Sequence, residues 1–190
     1  MHMGKNTFTL AGYKFTLKNI QYGIHSEETV DFMANLFCDG KLLAEVSNDG
    51  HGGSTFAWIT AEDREWGARV ASDISKEIWL KCQTGDIIYH DLGTVADETL
   101  MLVERNQQVA KIQKNALVLE KDSDLYLHTL QLPGMSIREW EKTDPEFLAI
   151  KIAQCMDDGW NVVNTNISKK TYTMADRWRH NSMASSALVS

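Results

Sequence analysis

The chain has 190 residues, enough for one compact domain with a sizeable core and too few for two ordinary ones. Hydrophobic residues make up 43% of it and charged residues 24%, a composition typical of folded globular proteins and not of disordered ones. The net charge of −7 disfavours broad nucleic-acid binding, because an acidic body repels a phosphate backbone.

No apolar run approaches the roughly 18 residues that cross a bilayer, and the N-terminal stretch lacks the apolar core of a signal peptide. We therefore expect a cytoplasmic protein without membrane association. The three cysteines, Cys38, Cys82 and Cys155, are odd in number, widely spaced and without a CxxC pair. This spacing argues against a disulfide framework or a zinc knuckle and favours reduced, mostly buried thiols.

The first 60 residues read as five antiparallel strands. Alternation of apolar and polar residues predicts them around Phe8–Leu10, Phe15–Leu17, Val30–Phe37, Lys41–Ser47 and Thr55–Ile59. Ala11-Gly12 is predicted as a tight turn, and Asp39-Gly40 is the strongest hairpin signal, since both central residues of a type I′ turn need positive φ. On the third strand, Phe32 and Leu36 face one way while Met33 and Phe37 face the other.

Helices and a second group of strands follow. A capping signal at Thr60 predicts a helix with a stripe of Trp66, Val70, Ile74 and Ile78 that stops near Gly85, and Thr94 starts a second helix to about Asn115. Ala116–Glu120 and Leu125–Leu130 read as a hairpin around residues 122–124. Asp144-Pro145 starts a third helix that ends by Gly159, and Trp160–Asn164 is predicted as a last strand.

This order predicts an α+β fold with a largely antiparallel sheet and about three helices packed on it. We expect a single domain over residues 1–167. Residues 168–190 should form a polar tail with four basic side chains against one acidic one, Asp176, in a composition that would normally fray.

The stretch Asn48-Asp49-Gly50-His51-Gly52-Gly53-Ser54 is the first candidate site. Glycines can take positive φ, so Gly50, Gly52 and Gly53 could turn successive amides inward to form a nest for an anion such as phosphate. Asp49, His51 and Ser54 would line its rim. Turn chemistry alone explains most such clusters, and a metal or catalytic role for His51 is a third alternative. The spacing of a P-loop is absent.

Two further stretches carry recognition chemistry. Asn164, Thr165 and Asn166 could read a ligand through donor and acceptor groups, although Asn side chains at a strand end more often bond to neighbouring backbone. In the tail, Arg177 and Arg179 flank Trp178, a grouping that suits a base, a partner helix or a second subunit. His90-Asp91 is a weak signal for an oriented imidazole, and no nucleophile or metal motif occurs, so we assign no catalytic residue, no metal and no cofactor.

The segments FMANLFCDGKLLAEVSNDGHGG (residues 32–53) and DGWNVVNTNI (residues 158–167) resemble a group of short proteins of phages and prophages. The resemblance covers the two ends of the domain and implies a genomic setting, with no established activity to carry over. It implies location in the host cytoplasm and a binding role.

We therefore expect a non-catalytic, homo-oligomeric binding protein that takes a nucleotide-like, phosphate-bearing small ligand or occludes a host defence protein. Two alternatives stay open. One is a metal-assisted hydrolase or nuclease-like enzyme that uses His51 and Asp49, and the other is an acidic protein-interaction module.

Overall fold

A computed structural model of the protein describes residues 6–24, 27–82, 91–121 and 127–187. Its contacts divide the chain into two compact units, of which the first is Gly4–Arg105 and the second contains Asn106–Ser190. The fold class is α+β, as predicted, but the described residues form five helices where the sequence predicted about three. The sheet is also divided, because three of the strands form a sheet of their own.

The first unit is built on a five-stranded antiparallel sheet whose strands follow one another in chain order. They are β1 (Phe8–Leu10), β2 (Tyr13–Tyr22), β3 (Phe32–Cys38), β4 (Lys41–Asn48) and β5 (Phe56–Ile59). Both predicted tight turns are confirmed, since φ is 52° and 81° at Ala11 and Gly12 and 48° and 83° at Asp39 and Gly40. These left-handed values are those that a type I′ turn requires.

One face of the five-stranded sheet is buried, as the alternation on β3 predicted. Phe15, Phe32 and Leu36 have almost no exposed surface, and each such side chain stabilises the fold by about 1.5–3 kcal/mol. Two helices, α1 (Arg64–Cys82) and α2 (Leu92–Ile112), contribute apolar residues to the same core. We call the opposite face, to which Met33 and Trp58 belong, the outer face.

The predicted starts of α1 and α2 were each wrong by three residues. The Asp63 carboxylate accepts from the Trp66 amide and caps α1, not Thr60, and Asp91 accepts from the Thr94 amide and caps α2. An aspartate in this position accepts a hydrogen bond from a free amide, and its negative charge interacts favourably with the positive end of the helix dipole. The predicted stop at Gly85 and the side chain of Ile78 lie outside what the structure describes.

The second unit combines a three-stranded antiparallel sheet with three helices. Its elements are β6 (Ala116–Glu120), β7 (His128–Gln131), α3 (Ile137–Thr143), α4 (Pro145–Asp157), β8 (Asn161–Val162) and α5 (Lys169–Ala187). Pairing of β6 with β7 confirms the predicted hairpin, whose turn at residues 122–124 lies outside the described residues. β8 pairs with the other side of β6 and is shorter than predicted.

Among the helices of the second unit, α4 was predicted and the other two were missed. Asp144 caps α4 through the Phe147 amide, and Gly159 has a φ of 80° just beyond its end. The missed α3 begins with a full capping box between Ser136 and Glu139, a signal present in the sequence.

Helix α5 occupies most of the segment that was predicted as a fraying tail. It packs on α4, and its Thr171 and Ala175 are buried in the second core. A polar composition is compatible with this helix because only one narrow face needs to be apolar. Cooperative folding of residues 1–167 as one domain stays a prediction. None of the helices in the described parts of the chain is apolar over a bilayer-spanning length.

Candidate functional site

The glycine loop between β4 and β5 is organised around the buried side chain of Asn48. The Asn48 Oδ1 accepts from Thr29 Oγ1 at 2.7 Å and from the Gly50 amide at 2.9 Å. Its Nδ2 donates to the Gly53 carbonyl at 3.0 Å and to Thr55 Oγ1 at 3.1 Å. Two donors and two accepted bonds satisfy the whole carboxamide group, so Asn48 holds the loop against neighbouring segments.

The backbone of this loop is also committed to partners within the protein. The His51 amide donates to Asp49 Oδ1 and the Gly52 amide to Thr29 Oγ1, while the Gly50 carbonyl accepts from the amides of residues 27–29. Gly50 and Gly52 have φ of 81° and 85°, and Gly53 is outside this left-handed region. Of the amides expected to face an anion, those of Gly50 and Gly52 thus donate to side chains of the same unit.

The charge around the loop is negative. His51 Nδ1 lies 3.5 Å from Glu27 Oε2 on the surface, and the Glu28 side chain lies against Gly52, where an added Cβ would come 2.0 Å from its carboxylate. Exposed Asp49 and Ser54 complete the rim. Nearby carboxylates oppose a phosphate, so this geometry favours the turn among the three alternatives for the motif.

The network extends from the loop to the first turns of α2. Thr55 Oγ1 receives the bond from Asn48 and donates to Asp97 Oδ1. Burial raises the pKa of the Asp97 carboxyl, an effect that the Thr55 hydrogen bond partly opposes and that nearby Asp91 and Glu98 reinforce. The loop, β5 and α2 are thereby linked by polar side chains that face one another.

The second predicted stretch, residues 164–166, lies in the second unit and is likewise used internally. Asn164 is buried, accepts from the Val118 amide at 2.7 Å and donates to the Ala116 carbonyl at 3.0 Å. The Thr165 amide donates to Gln113 Oε1, and Asn166 Nδ2 donates to the Gln113 carbonyl. These bonds continue the ladder of β6 beyond the two-residue β8, the structural role that Asn-rich strand ends commonly have.

The predicted partner-binding residues lie on α5. Arg177 and Trp178 are exposed, whereas Arg179 Nε donates to Asp157 Oδ1 on α4 at 2.7 Å. Arg179 therefore ties α5 to its neighbour. An oligomer contact through Arg177 and Trp178 stays a prediction.

Two observations on the described residues concern metal binding and thiol chemistry. No group of three or more His, Cys, Asp or Glu side chains that could hold a metal ion occurs among them. Burial raises the pKa of the Cys38 thiol to about 12, with Asp39 adding to the effect, and burial also raises the pKa of Cys155. Neither thiol supplies a thiolate near neutral pH. His90 lies outside the described residues.

The outer face of the five-stranded sheet was not predicted as a site from the sequence. Strand register arranges its side chains in rows, because residues directly opposite one another on neighbouring strands share a face. One row is Lys18, Asn35, Glu45 and Trp58, and the next is Gln21, Met33, Ser47 and Phe56.

The outer face exposes apolar surface that a sheet usually buries. Met33, Phe56 and Trp58 are 63%, 62% and 57% exposed. The rings of Phe56 and Trp58 stack with centroids 6.0 Å apart and planes 25° from parallel, which makes a flat platform on β5. At the other end of the Trp58 row, Lys18 Nζ lies 4.1 Å from the centre of the Phe37 ring.

A shallow cavity of about 570 Å³ runs along three residues of each row and includes Trp58, while Lys18 and Phe56 lie outside its lining. Its side-chain lining includes amides (Asn19, Gln21, Asn35), Glu45, Ser47 and Met33. This volume and mixture of apolar and polar groups are typical of small-molecule sites. The alternation on β3 carried the signal, since it placed Met33 and Phe37 opposite the core, and the same spacing places Phe56 and Trp58 together.

Comparisons of the chain with protein-family models, with curated proteins and with solved structures give no match.

Proposed function

We propose that the protein is a non-catalytic binding protein whose outer sheet face takes a nucleotide-like, phosphate-bearing small ligand. The observation that carries the proposal is the row Lys18, Asn35, Glu45 and Trp58 on four adjacent strands. This assignment keeps the ligand class that the sequence suggested and moves the site from the glycine loop to the sheet.

The order of groups along the row matches the order of groups in a nucleotide. Three strand spacings give about 14 Å between its ends, a span comparable with a mononucleotide from base to phosphate. The exposed indole of Trp58, next to Phe56, offers a stacking surface for a base. The ammonium group of Lys18 at the far end offers a counter-charge for phosphate.

The middle of the row suits a sugar. Glu45 is exposed and lies between Asn35 and Trp58. A carboxylate at this position can accept from ribose hydroxyls, as acidic residues do in dinucleotide sites, and the Asn35 amide can both donate and accept. Glu45 would repel a phosphate placed beside it, which sets the direction of the ligand along the row.

The test is titration of the purified protein with mono-, di- and cyclic nucleotides, followed by calorimetry and native mass spectrometry. We expect a stoichiometric adduct, and Trp58→Ala should weaken binding about 5- to 150-fold, because stacking on an aromatic side chain contributes about 1–3 kcal/mol per base. Trp178→Ala removes another exposed tryptophan, on α5, and should leave the affinity unchanged.

Two further variants examine the ligand's orientation. Lys18→Gln should weaken binding of a nucleotide and not of the matching nucleoside, while Glu45→Gln should lower the preference for a ribonucleotide over its deoxy form. Equal affinity of wild type and Trp58→Ala, or no adduct with any nucleotide of the panel, would contradict the proposal.

A protein ligand is the second candidate for the same face. Its support is the grouping of exposed Met33 with Phe56 and Trp58, since methionine and aromatic residues are enriched at the centres of protein interfaces. A host protein captured by wild type and lost with both Met33→Ala and Trp58→Ala, in a chain that binds no nucleotide, would favour this candidate.

A further inference from the structure

Among the described residues, no strand pairs with the outer edge of β5, and this edge is unusual for the edge of a sheet. β5 is the last strand of the five-stranded sheet, and its four residues, Phe56-Ala57-Trp58-Ile59, are all apolar. Phe56, Trp58 and Ile59 are 62%, 57% and 40% exposed. Edges are usually protected from pairing by charged side chains, proline or a bulge, and β5 contains no charged residue and no proline.

The strand at the opposite edge of the same sheet, β1, is shorter and less exposed than β5. β1 has three residues, of which Leu10 is buried and Phe8 half-buried. Only Thr9, a polar residue, is exposed. The sheet therefore presents one short, mainly covered edge and one apolar, exposed edge.

The alternation of backbone hydrogen bonds between β4 and β5 shows which N–H and C=O groups of β5 point away from β4. The Thr60 amide donates to the Leu43 carbonyl, and Ile59 lies opposite Ala44. Since hydrogen-bonded and non-hydrogen-bonded pairs alternate along an antiparallel ladder, the backbone groups of Trp58 face β4. The N–H and C=O groups of Ala57 and Ile59 consequently point to the open edge, and their natural partner is a β-strand.

Neighbouring structure limits the open edge to these residues. A Cβ added to Gly93, near the start of α2, would lie 2.0 Å from the Thr55 carbonyl oxygen, so α2 closely covers the backbone before β5. Gly67 of α1 approaches Ile59 from the core side, where an added Cβ would lie 2.7 Å from Ile59 Cγ2. This contact lies on the core face of the strand and involves the Ile59 side chain, not the in-plane backbone groups of Ala57 and Ile59.

From this edge we infer that two copies of the chain pair through β5 in an antiparallel, two-fold dimer. Ala57 of each copy pairs with Ile59 of the other, which uses all four outward backbone groups of each strand. Trp58 of one chain then lies opposite Trp58 of the second chain at the two-fold axis, with both side chains on the outer face. The dimer joins the two five-stranded sheets into one sheet of ten strands and brings a second indole beside the platform of Phe56 and Trp58.

The distribution of charge favours association of two copies at the uncharged strand β5. Each chain carries a net charge of −7, so two copies repel over most of their surfaces, and contact is least opposed at an uncharged segment. The self-complementary register lets one segment supply both sides of an isologous interface. A four-residue edge is small beside the roughly 800 Å² per partner of a standard interface, so we expect a dissociation constant on the order of micromolar.

The first experiment is sedimentation velocity from about 1 to about 200 µM, a range that brackets micromolar dissociation, at low and high salt. We expect a monomer–dimer equilibrium that shifts toward dimer as salt rises, because salt screens the repulsion. Ala57→Pro removes one outward N–H and leaves the ladder to β4 intact, so it should abolish the dimer. Ala57→Ser keeps the N–H and is the matched control.

A cross-linking experiment determines the register and does not depend on the proline variant folding. With the thiol oxidant diamide, Trp58→Cys should give a covalent dimer, because the paired Cα atoms of a non-hydrogen-bonded pair lie within disulfide range. Phe56→Cys, whose residue faces Thr60 of the other copy, and the wild type should not.

A monomer at every concentration and salt, an equally tight dimer in folded Ala57→Pro, or no preference for Trp58→Cys in cross-linking would overturn the proposal. A monomer throughout would leave the edge to a strand of a different protein. Dimerisation is separable from ligand binding, since Lys18→Gln should weaken nucleotide binding and leave the dimer unchanged.

Discussion

The glycine loop and the outer face of the sheet differ in where their polar groups form hydrogen bonds. In the loop, Asn48 makes four hydrogen bonds and three backbone amides donate to side-chain oxygens of the same unit. On the outer face, amides and a carboxylate surround exposed Met33 and Trp58 along an open cavity. A conspicuous sequence motif can thus be structural, while ordinary strand residues remain available to a ligand.

The largest loss of stability is expected from removing the Asn48 side chain at the centre of the glycine loop. Asn48→Ala should lower the free energy of unfolding by about 3 kcal/mol, because it leaves the Thr29 and Thr55 hydroxyls and the Gly50 amide without their partner. Urea unfolding measures the loss. Asn35→Ala, the same change on the outer face, should cost under about 0.5 kcal/mol, and equal losses would contradict the contrast between the two regions.

Backbone conformation within the loop should give the next effect. Gly52→Ala should destabilise by about 1 kcal/mol or more, because an alanine is strained at a φ of 85° and its Cβ would displace Glu28. Gly53→Ala is the matched control, since open space surrounds its Cβ position. It should be neutral or slightly stabilising. Thermal unfolding compares the two, and a greater loss for Gly53→Ala would contradict the assigned roles.

The link from the loop to α2 should appear as a dependence of stability on pH. Because the pKa of Asp97 is raised in the fold by burial, its protonated form favours folding, and this contribution is lost as pH rises through the folded pKa. Asp97→Asn keeps an acceptor for Thr55 without the charge. Its stability relative to wild type should therefore increase as pH rises from about 4, the ordinary value for aspartate.

Urea unfolding at several pH values tests this. Asp97→Ala, which also removes the acceptor, should be less stable than Asp97→Asn at every pH. A constant difference between wild type and Asp97→Asn across the range would show that Asp97 does not titrate differently in the folded and unfolded chains.

The smallest effect on stability is expected on the platform. Phe56→Ala and Trp58→Ala remove exposed side chains, so each should change the free energy of unfolding by about 0.5 kcal/mol or less while affecting binding or association. Leu43→Ala, on β4 with no exposed surface, should cost about 2–5 kcal/mol in the same assay. A large loss of stability at Trp58 would mean that the platform is part of the core.

Much of the first unit could be predicted because its signals are local. Alternation located β2, β3 and β4 and the two faces of β3, and the Ala11-Gly12 and Asp39-Gly40 turns follow from residues that tolerate positive φ. Helix starts were less accurate, since Thr60 and Asp63 both offer cap side chains and only the folded backbone selects one. Helix α5 was missed because its stability depends on packing against α4.

The sequence by itself determined the fold class, the two hairpins β1–β2 and β3–β4 and the two faces of β3, because these depend on residue spacing and backbone preference over a few positions. Only the tertiary structure decided that Asn48 and Asn164 are satisfied internally and that Lys18, Asn35, Glu45 and Trp58 form one row. Asn48 bonds to Thr29, 19 residues away along the chain, and Asn164 bonds to Val118 and Ala116, 46 and 48 residues away. Such pairing depends on register and burial, and neither is encoded in a short window of sequence.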